Sequence, residues 1–330
     1  MEKSRPHPSP NNVFTGSDAL RNFLNPECNL PLPLVELPKR LNPFEDQKVR
    51  VFAKLMYLLP LLNSKSLPVL NMMLETSDKL GGVHTIVENS SGNTAFSLAI
   101  MAPLFGIRSV RAMVPLDIAP GKLELLRLSG ADVRFPEKGA SGIATARKMG
   151  KGKGFLNLDQ YSNKANVTAH AKWTAKQVWE QTEGEVTIFC TGLGTTGTAL
   201  GAVEFFKKEK AQVKVVGVYC LPNNAVPGVR SMEGLAEISF DWRSEIPEPI
   251  GVGTKESFKK SLDLCRAGLV AGPSSGFAYA GLLHFLAEHR NLDELRNKKG
   301  EVLATFICPD TPFPYLDKYS TILDPSDFVS

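Results

Sequence analysis

The chain has 330 residues, 43% hydrophobic and 22% charged, the balance of an ordinary globular protein with enough length for one large α/β core or two smaller ones. Its 38 basic and 34 acidic residues are mixed along the sequence without a dense Lys/Arg run, so neither the net charge of +4 nor its distribution predicts a nucleic-acid partner. No apolar run approaches the roughly 18 residues that span a bilayer, and the five histidines lack H-x-x-x-H spacing, which excludes the usual His-based metal pattern.

Residues 1–25 read as a polar N-terminal arm with a short helix around 18–23, and residues 1–12 lack the apolar segment of a secretory signal. Short strands are expected at 32–37 and 49–55, and a helix at 67–79 with Pro68 in its first turn, where a missing N–H is harmless. A strand at 85–87 then runs through Asn89-Ser90-Ser91-Gly92-Asn93-Thr94 into a helix at 95–102. Beyond it, strand 110–115, helix 121–129, strand 131–135, helix 142–149, an extended piece at 154–157 and helix 170–181 follow in turn. The second half repeats the alternation: strand 186–190, loop 191–198, helix 199–210, strand 213–219, helix 255–266, a strand-to-helix turn at 269–276, helix 277–288 and strand 302–308. Short strands alternating with longer helices argue for βαβ units and mainly parallel sheets, and two such halves with ligand-ready turns imply a cleft between them. Cys28, Cys190, Cys220, Cys265 and Cys308 have no C-x-x-C spacing and read as reduced thiols of a cytosolic protein, so a cytoplasmic location is expected.

Four stretches carry chemistry. The 89–94 turn offers small hydroxyl and amide residues with Gly92 at a helix start, where free N–H groups and the helix dipole suit a carboxylate; it reads equally as a capped turn with no ligand. Gly192-Leu193-Gly194-Thr195-Thr196-Gly197 matches G-x-G-x-x-G, but the next strand ends in Tyr219-Cys220-Leu221 without the acidic residue a dinucleotide ribose needs. Its threonines suit a compact phosphate monoester instead. Gly272-Pro273-Ser274-Ser275-Gly276 places a serine where it could meet an uncharged ring nitrogen, or serve only as a cap. Lys65, at a helix start among apolar residues, is a candidate Schiff-base amine because desolvation and the dipole both disfavour its charge; a surface lysine is the plain alternative.

Taken in order, Pro33-Leu34-Val35-Glu36-Leu37, Ala53-Lys54-Leu55, Lys65, Ser91-Gly92-Asn93-Thr94, the 192–198 loop, Gly272-Pro273-Ser274-Ser275-Gly276 and Cys308-Pro309-Asp310 resemble the cysteine synthase / cystathionine β-synthase family of fold-type II pyridoxal-phosphate enzymes, over about residues 30–318. The resemblance implies two three-layer α/β domains with mainly parallel sheets, in the tryptophan synthase β-like architecture. It also implies a smaller domain at 47–160 and a larger one formed by 26–46 plus 161–330. Lys65 would carry pyridoxal 5'-phosphate as a Schiff base and shuttle the α-proton. Asn93 would bond the ring hydroxyl, Gly192, Leu193, Gly194, Thr195 and Thr196 the phosphate, and Ser274 the ring nitrogen, leaving that nitrogen unprotonated. Ser91, Gly92, Thr94 and Gln160 would hold the carboxylate of a small amino-acid substrate. The implied reaction is β-replacement on O-acetyl- or O-phospho-serine through an aminoacrylate, sulfide giving L-cysteine; a non-sulfide nucleophile, or a degenerate homologue that binds the cofactor without turnover, are the alternatives. No metal, nucleic-acid or membrane partner is implied, and a homodimer is.

The departures are local. Where the family usually has Asp-Arg after the lysine this chain has Ser66-Leu67, Ala95 replaces a glycine, and Thr311-Pro312-Phe313-Pro314-Tyr315 stands for Ser-Gly-Glu-Arg-Tyr. A heme-binding N-terminal segment and a C-terminal regulatory domain, as in a full cystathionine β-synthase, are not expected.

Overall fold

The structure, a computed structural model, describes residues 11–116, 118–137 and 139–329. The first ten residues of the expected polar arm lie outside the described residues, and the helix expected in the remainder spans Ala19–Leu24.

Among the described residues ten strands form two sheets. They are β1 (Leu34–Glu36), β2 (Val49–Leu55), β3 (Thr85–Asn89), β4 (Ser109–Met113), β5 (Asp132–Arg134), β6 (Phe155–Leu156), β7 (Ile188–Gly192), β8 (Lys214–Cys220), β9 (Ile250–Val252) and β10 (Val302–Cys308). The larger sheet runs β1-β2-β10-β7-β8-β9, parallel except for β1 at its edge, and the smaller runs β5-β4-β3-β6, parallel throughout. This is the expected α/β architecture, with one correction to the boundary. β2, placed by the expected division in the 47–160 unit, pairs with β10 from Val49↔Val302 to Leu55↔Cys308 and belongs to the larger sheet. The smaller sheet therefore draws only on the chain after Lys65.

Every residue of β10 is buried, as expected of a central parallel strand covered on both faces by helices. Phe306 of β10 stacks on Tyr279 of the helix Pro273–Glu288, while Phe189 of β7 meets Phe206 of the helix Gly197–Lys208 edge to face. Each of these buried rings contributes about 2 kcal/mol of apolar transfer.

Where the expectations miss, the cause is local chemistry. Residues 269–272 form no strand, and the helix begins at Pro273 rather than Phe277, because proline is preset for a first helical position. The helix expected at 170–181 starts earlier, as Lys164–His170 capped by Asn163, and passes through a π turn at Ala171–Ala175 before Lys176–Gln181. β9 and the helix Leu316–Ile322 were not expected at all.

The topology decides where a ligand can lie. In the smaller sheet successive strands run from β3 to β4 and β5, and the chain then crosses to β6 on the other side of β3. In the larger sheet β7 leads to β8 and β9 while β10 returns on its other flank. The loops leaving the C-terminal ends of β3, β7 and β10 therefore lie at the two reversals of strand order, where open α/β sheets form crevices.

Candidate active site

Those loops meet at one cavity of about 480 Å³. The larger sheet contributes Lys65, Gly192, Gly194, Thr195, Thr196, Thr198, Ser274 and Asp310, and the smaller side contributes Ser91, Gly92, Asn93, Thr94 and Gln160. Of the residues expected at the site, Leu193 alone stands outside it. Its side chain is fully buried in the core, its amide donates to the Val218 carbonyl (2.7 Å), and its carbonyl accepts from the Arg230 amide (2.9 Å).

Lys65 immediately precedes the helix Ser66–Glu75. It is half-buried against the cavity, and removal from water lowers its amine pKa, opposed by the charge of Asp310. The Ser64 amide donates to the Pro309 carbonyl (2.8 Å) and Asn63 bridges to Asp310, which fastens the lysine segment to the end of β10. Both residues that replace the family's Asp-Arg have structural partners. The Ser66 hydroxyl donates to the Asn63 carbonyl (2.8 Å), and Leu67 is buried in the core with Leu70 and Met73.

In the 89–94 turn the capping is done by Ser90, whose Oγ accepts from the amides of Gly92 and Ala95, both at 3.3 Å. That leaves Ser91 and Asn93 facing the cavity. Thr94 donates to Gln160 Oε1 (2.8 Å), while Gln160 Nε2 and the Tyr161 hydroxyl both donate to the Asn89 carbonyl (3.1 Å each). Glu88 braces this pairing from below, accepting from the Asp159 amide (3.0 Å) and from Asn157 Nδ2 (3.3 Å). Burial, reinforced by the charge of Asp159, pushes the Glu88 carboxyl up to about 8, so near neutral pH it holds a proton.

The 192–198 loop is a close-packed cradle. Thr196 adopts a left-handed φ of 64°, rare for a β-branched residue and upheld only where neighbours over-determine it. A Cβ on Gly192 would come within 2.6 Å of Val229, one on Gly194 within 2.3 Å of the Gly228 carbonyl, and one on Gly197 within 2.3 Å of Asn166. Thr195 Oγ1 accepts from Asn166 Nδ2 (2.9 Å), yet Thr196 Oγ1 and Asn166 Oδ1 are buried with no partner. Behind the cradle, His170 contacts Thr198 (3.2 Å) and Thr174 (3.0 Å), and burial followed by the charge of Lys65 brings it down to about 3, so it stays neutral. An unpartnered hydroxyl on a loop that opens a helix suits an anion, and an amine short of its full basicity shares the same cavity. The residues therefore fit pyridoxal phosphate.

The least anticipated residue is Asp310, which in sequence closes the Cys308-Pro309-Asp310 motif. It is 4% exposed, and its carboxylate accepts from Asn93 Nδ2 (2.7 Å), the Tyr315 hydroxyl (2.6 Å) and the Ser274 hydroxyl (3.2 Å). Burial raises its pKa, and these donors together with Lys122 oppose the rise. Lys122 and Arg230 also line the cavity: Lys122 lies 5.5 Å from the Tyr315 ring centre, and Arg230 lies 5.0 Å from that of Tyr161 and pairs with Glu237. Neither cation lies in a recognisable motif, and only the tertiary fold brings them here. Among the described residues no His/Cys/Asp/Glu cluster is placed to hold a metal, and no helix is long and apolar enough to cross a membrane.

Comparison with known proteins agrees with this geometry. Residues 28–305 match the family model described as pyridoxal-phosphate dependent enzyme. The chain is 30% identical over 285 residues to cysteine synthase B of Salmonella typhimurium, covering 84% of this chain and 89% of the relative. It is 30% identical over 260 residues to cysteine synthase B of Escherichia coli, covering 76% and 84% respectively. In fold it is similar to the crystal structure of O-ureido-L-serine synthase, with a TM-score of 0.76 at 22% identity over 89% of this chain and 93% of that one. A cavity that brings Lys65 together with the glycine-threonine loop, in a chain whose sequence matches the family over most of its length, makes this protein a member of the pyridoxal-phosphate dependent enzyme family.

Proposed function

We propose that the protein replaces the β-substituent of an activated L-serine, O-acetyl- or O-phospho-serine, with sulfide as the default nucleophile and L-cysteine as product. The observation that carries this reading is the single cavity that joins Lys65, the phosphate cradle and the 91–94 turn with Gln160. When bound, pyridoxal phosphate supplies an electron sink that lets the β-substituent leave. Lys65 would hold the cofactor and would move a proton at Nζ, a task that its burial favours by lowering the amine's basicity. Gly194, Thr195 and Thr196 would hold the phosphate, Asn93 and Ser274 would hold the ring edge, and Ser91, Gly92, Thr94 and Gln160 would receive the substrate carboxylate at a helix start.

Lys122 and Arg230 favour the O-phospho substrate, or an anionic nucleophile, over a neutral one, because they bring two basic side chains to a cavity whose lining includes one carboxylate, Asp310, although burial lowers the basicity of Lys122 and Arg230 is paired with Glu237. A non-sulfide nucleophile giving a specialised amino acid is the second reading, and its warrant is Ser66-Leu67 in place of the family's Asp-Arg after the lysine. The homodimer belongs to this proposal on family resemblance alone, and the cytoplasmic location on the cysteines' lack of disulfide spacing. Purified protein should absorb in the visible or near ultraviolet through a covalently linked cofactor. Mass spectrometry of products from O-acetyl- and O-phospho-serine with a panel of nucleophiles then tests the reaction, and a loaded protein that turns over none of them would leave a cofactor-binding homologue.

A further inference from the structure

The cavity is lined by two lysines, and the chemistry proposed above moves a proton at only one of them, Lys65. The other, Lys122, is the third residue of the helix Pro120–Leu128, in the first turn, where the helix dipole opposes a positive charge. Among the described residues its amine has no hydrogen-bond acceptor and no ion-pair partner; what it meets is the ring of Tyr315, 5.5 Å away at its centre. Asp310, the one carboxylate in the lining, already accepts from Asn93, Tyr315 and Ser274 and reaches Lys122 only as a more distant attraction. Removal from water outweighs that attraction, and the charge of Lys318 adds to it. The other titratable groups on this helix and its neighbours are occupied: Glu124 pairs with Arg127, Asp132 pairs with Arg111 and Arg134, and the helix Asn93–Met101 has no titratable side chain. An ammonium withdrawn from water without a partner is costly, whereas a neutral amine is not, and a neutral amine facing a cavity has a lone pair to offer.

We propose that Lys122 is the base that takes a proton from an incoming amine nucleophile, so that the second reactant is a primary amine. Resting on the proposed replacement reaction, the assignment selects its second reading, a non-sulfide nucleophile. Sulfide ionises near neutral pH and asks little of a base, but a primary amine arrives as an ammonium with no lone pair to give. The step balances. The ammonium passes one proton to Lys122 Nζ, and the freed nitrogen pair forms the bond to the substrate's β-carbon, from which the oxygen substituent has left with its own electron pair. The pair displaced onto the α-carbon takes the proton that Lys65 returns there, and Lys122 gives its proton to solvent before the next turnover.

Two measurements on the holoprotein test this. In protein carrying 13C at lysine Cε, the Lys122 signal, identified by its loss in Lys122→Gln, is followed by NMR against pH. It should titrate at a lower pH than the exposed lysines; titration together with them overturns the proposal. Product formation from O-acetyl- and O-phospho-serine is then read by mass spectrometry, across pH, with sulfide and with primary amines from methylamine to the common amino acids. Lys122→Gln and Lys122→Arg should both lower the ratio of amine product to sulfide product by about 100-fold at neutral pH, and in both the amine rate should recover with pH in proportion to the free amine. Arginine keeps a positive charge but accepts no proton, so a wild-type ratio in Lys122→Arg would make Lys122 a cation and overturn the proposal. A merely structural Lys122 would lower both products together and leave the pH profile unchanged, which overturns it as well. Should neither variant fold, the titration of the wild-type lysines, with one expected below the rest, decides alone. A wild type that makes cysteine from sulfide and nothing from any amine overturns the proposal while the replacement reaction stands. A wild type that releases neither acetate nor phosphate removes the reaction itself, and the proposal with it.

Discussion

The two sides of the cavity are built to opposite specifications. On the larger sheet the 192–198 loop is so tightly enclosed that added Cβ atoms at Gly192, Gly194 and Gly197 would collide with neighbours at 2.6 Å or less. On the smaller sheet Gly92 is half-exposed and an added Cβ would meet nothing within 4 Å. A group that stays through every turnover gains from a cradle already paid for in folding, whereas a substrate that comes and goes needs an approach left open. The same contrast appears in the polar atoms: the cradle strands Thr196 Oγ1 and Asn166 Oδ1 without partners, while the 89–94 turn is satisfied by its own Ser90 and by Gln160.

Four substitutions probe that contrast. The largest effect is expected from Lys65→Ala, which removes the amine both sides face and should abolish the lysine-linked absorption band and all turnover; a retained band would place the covalent link elsewhere. Gly194→Ala drives a methyl group against the Gly228 carbonyl and should destabilise the protein by about 3 kcal/mol, read in urea unfolding, and weaken cofactor retention in dialysis. Glu88→Gln tests the brace beneath the substrate side through pH. The folded carboxyl keeps its proton up to about pH 8, whereas the unfolded one loses it near 4.5. Between those values the unfolded chain binds fewer protons, so wild-type stability falls as the pH rises through this window. The glutamine variant should flatten that fall, gaining up to about 4 kcal/mol relative to wild type between pH 5 and 8.5, and thermal melts over that range would show it. Parallel slopes for the two proteins would mean that Glu88 ionises freely. The smallest effect on stability belongs to Gly92→Ala, under about 0.5 kcal/mol, because the added methyl meets open space. Its consequence should appear as a raised KM for the amino-acid substrate with cofactor content unchanged; equal damage from Gly92→Ala and Gly194→Ala to cofactor content would erase the difference between the two sides.

Much of the site was legible because its chemistry is written in short runs. Lys65, the 91–94 turn and the glycine-threonine loop each announce themselves within a few residues, and the alternation of strands and helices orders them around a cleft. What stayed hidden depends on residues far apart in sequence. Asp310 is 217 positions from Asn93, which donates to it, and no local pattern pairs them. Lys122 reads as one more charge on an amphipathic helix until the fold sets it beside Tyr315. The misplaced helix start at Pro273 has a different origin. Small residues at 272–276 satisfy the patterns of a turn and of a helix's first turn alike, and packing against the helix Thr254–Arg266, where the Ser257 hydroxyl donates to the Pro273 carbonyl at 2.7 Å, selects the helix. The domain boundary was misjudged because β2 looks the same whichever sheet it joins. Only β10, some 250 residues later, supplies its partner.

The displacement of β2 into the larger sheet bears on how such a protein diversifies. All four strands of the smaller sheet come from one uninterrupted stretch, Thr85 to Leu156, that leaves after Lys65 and rejoins the larger half just beyond Gln160. Recombination that exchanged this cassette for a counterpart from a relative would replace the wall proposed to face the substrate in a single event, leaving the register of β2, β10 and β7 and the lysine anchored beside them untouched.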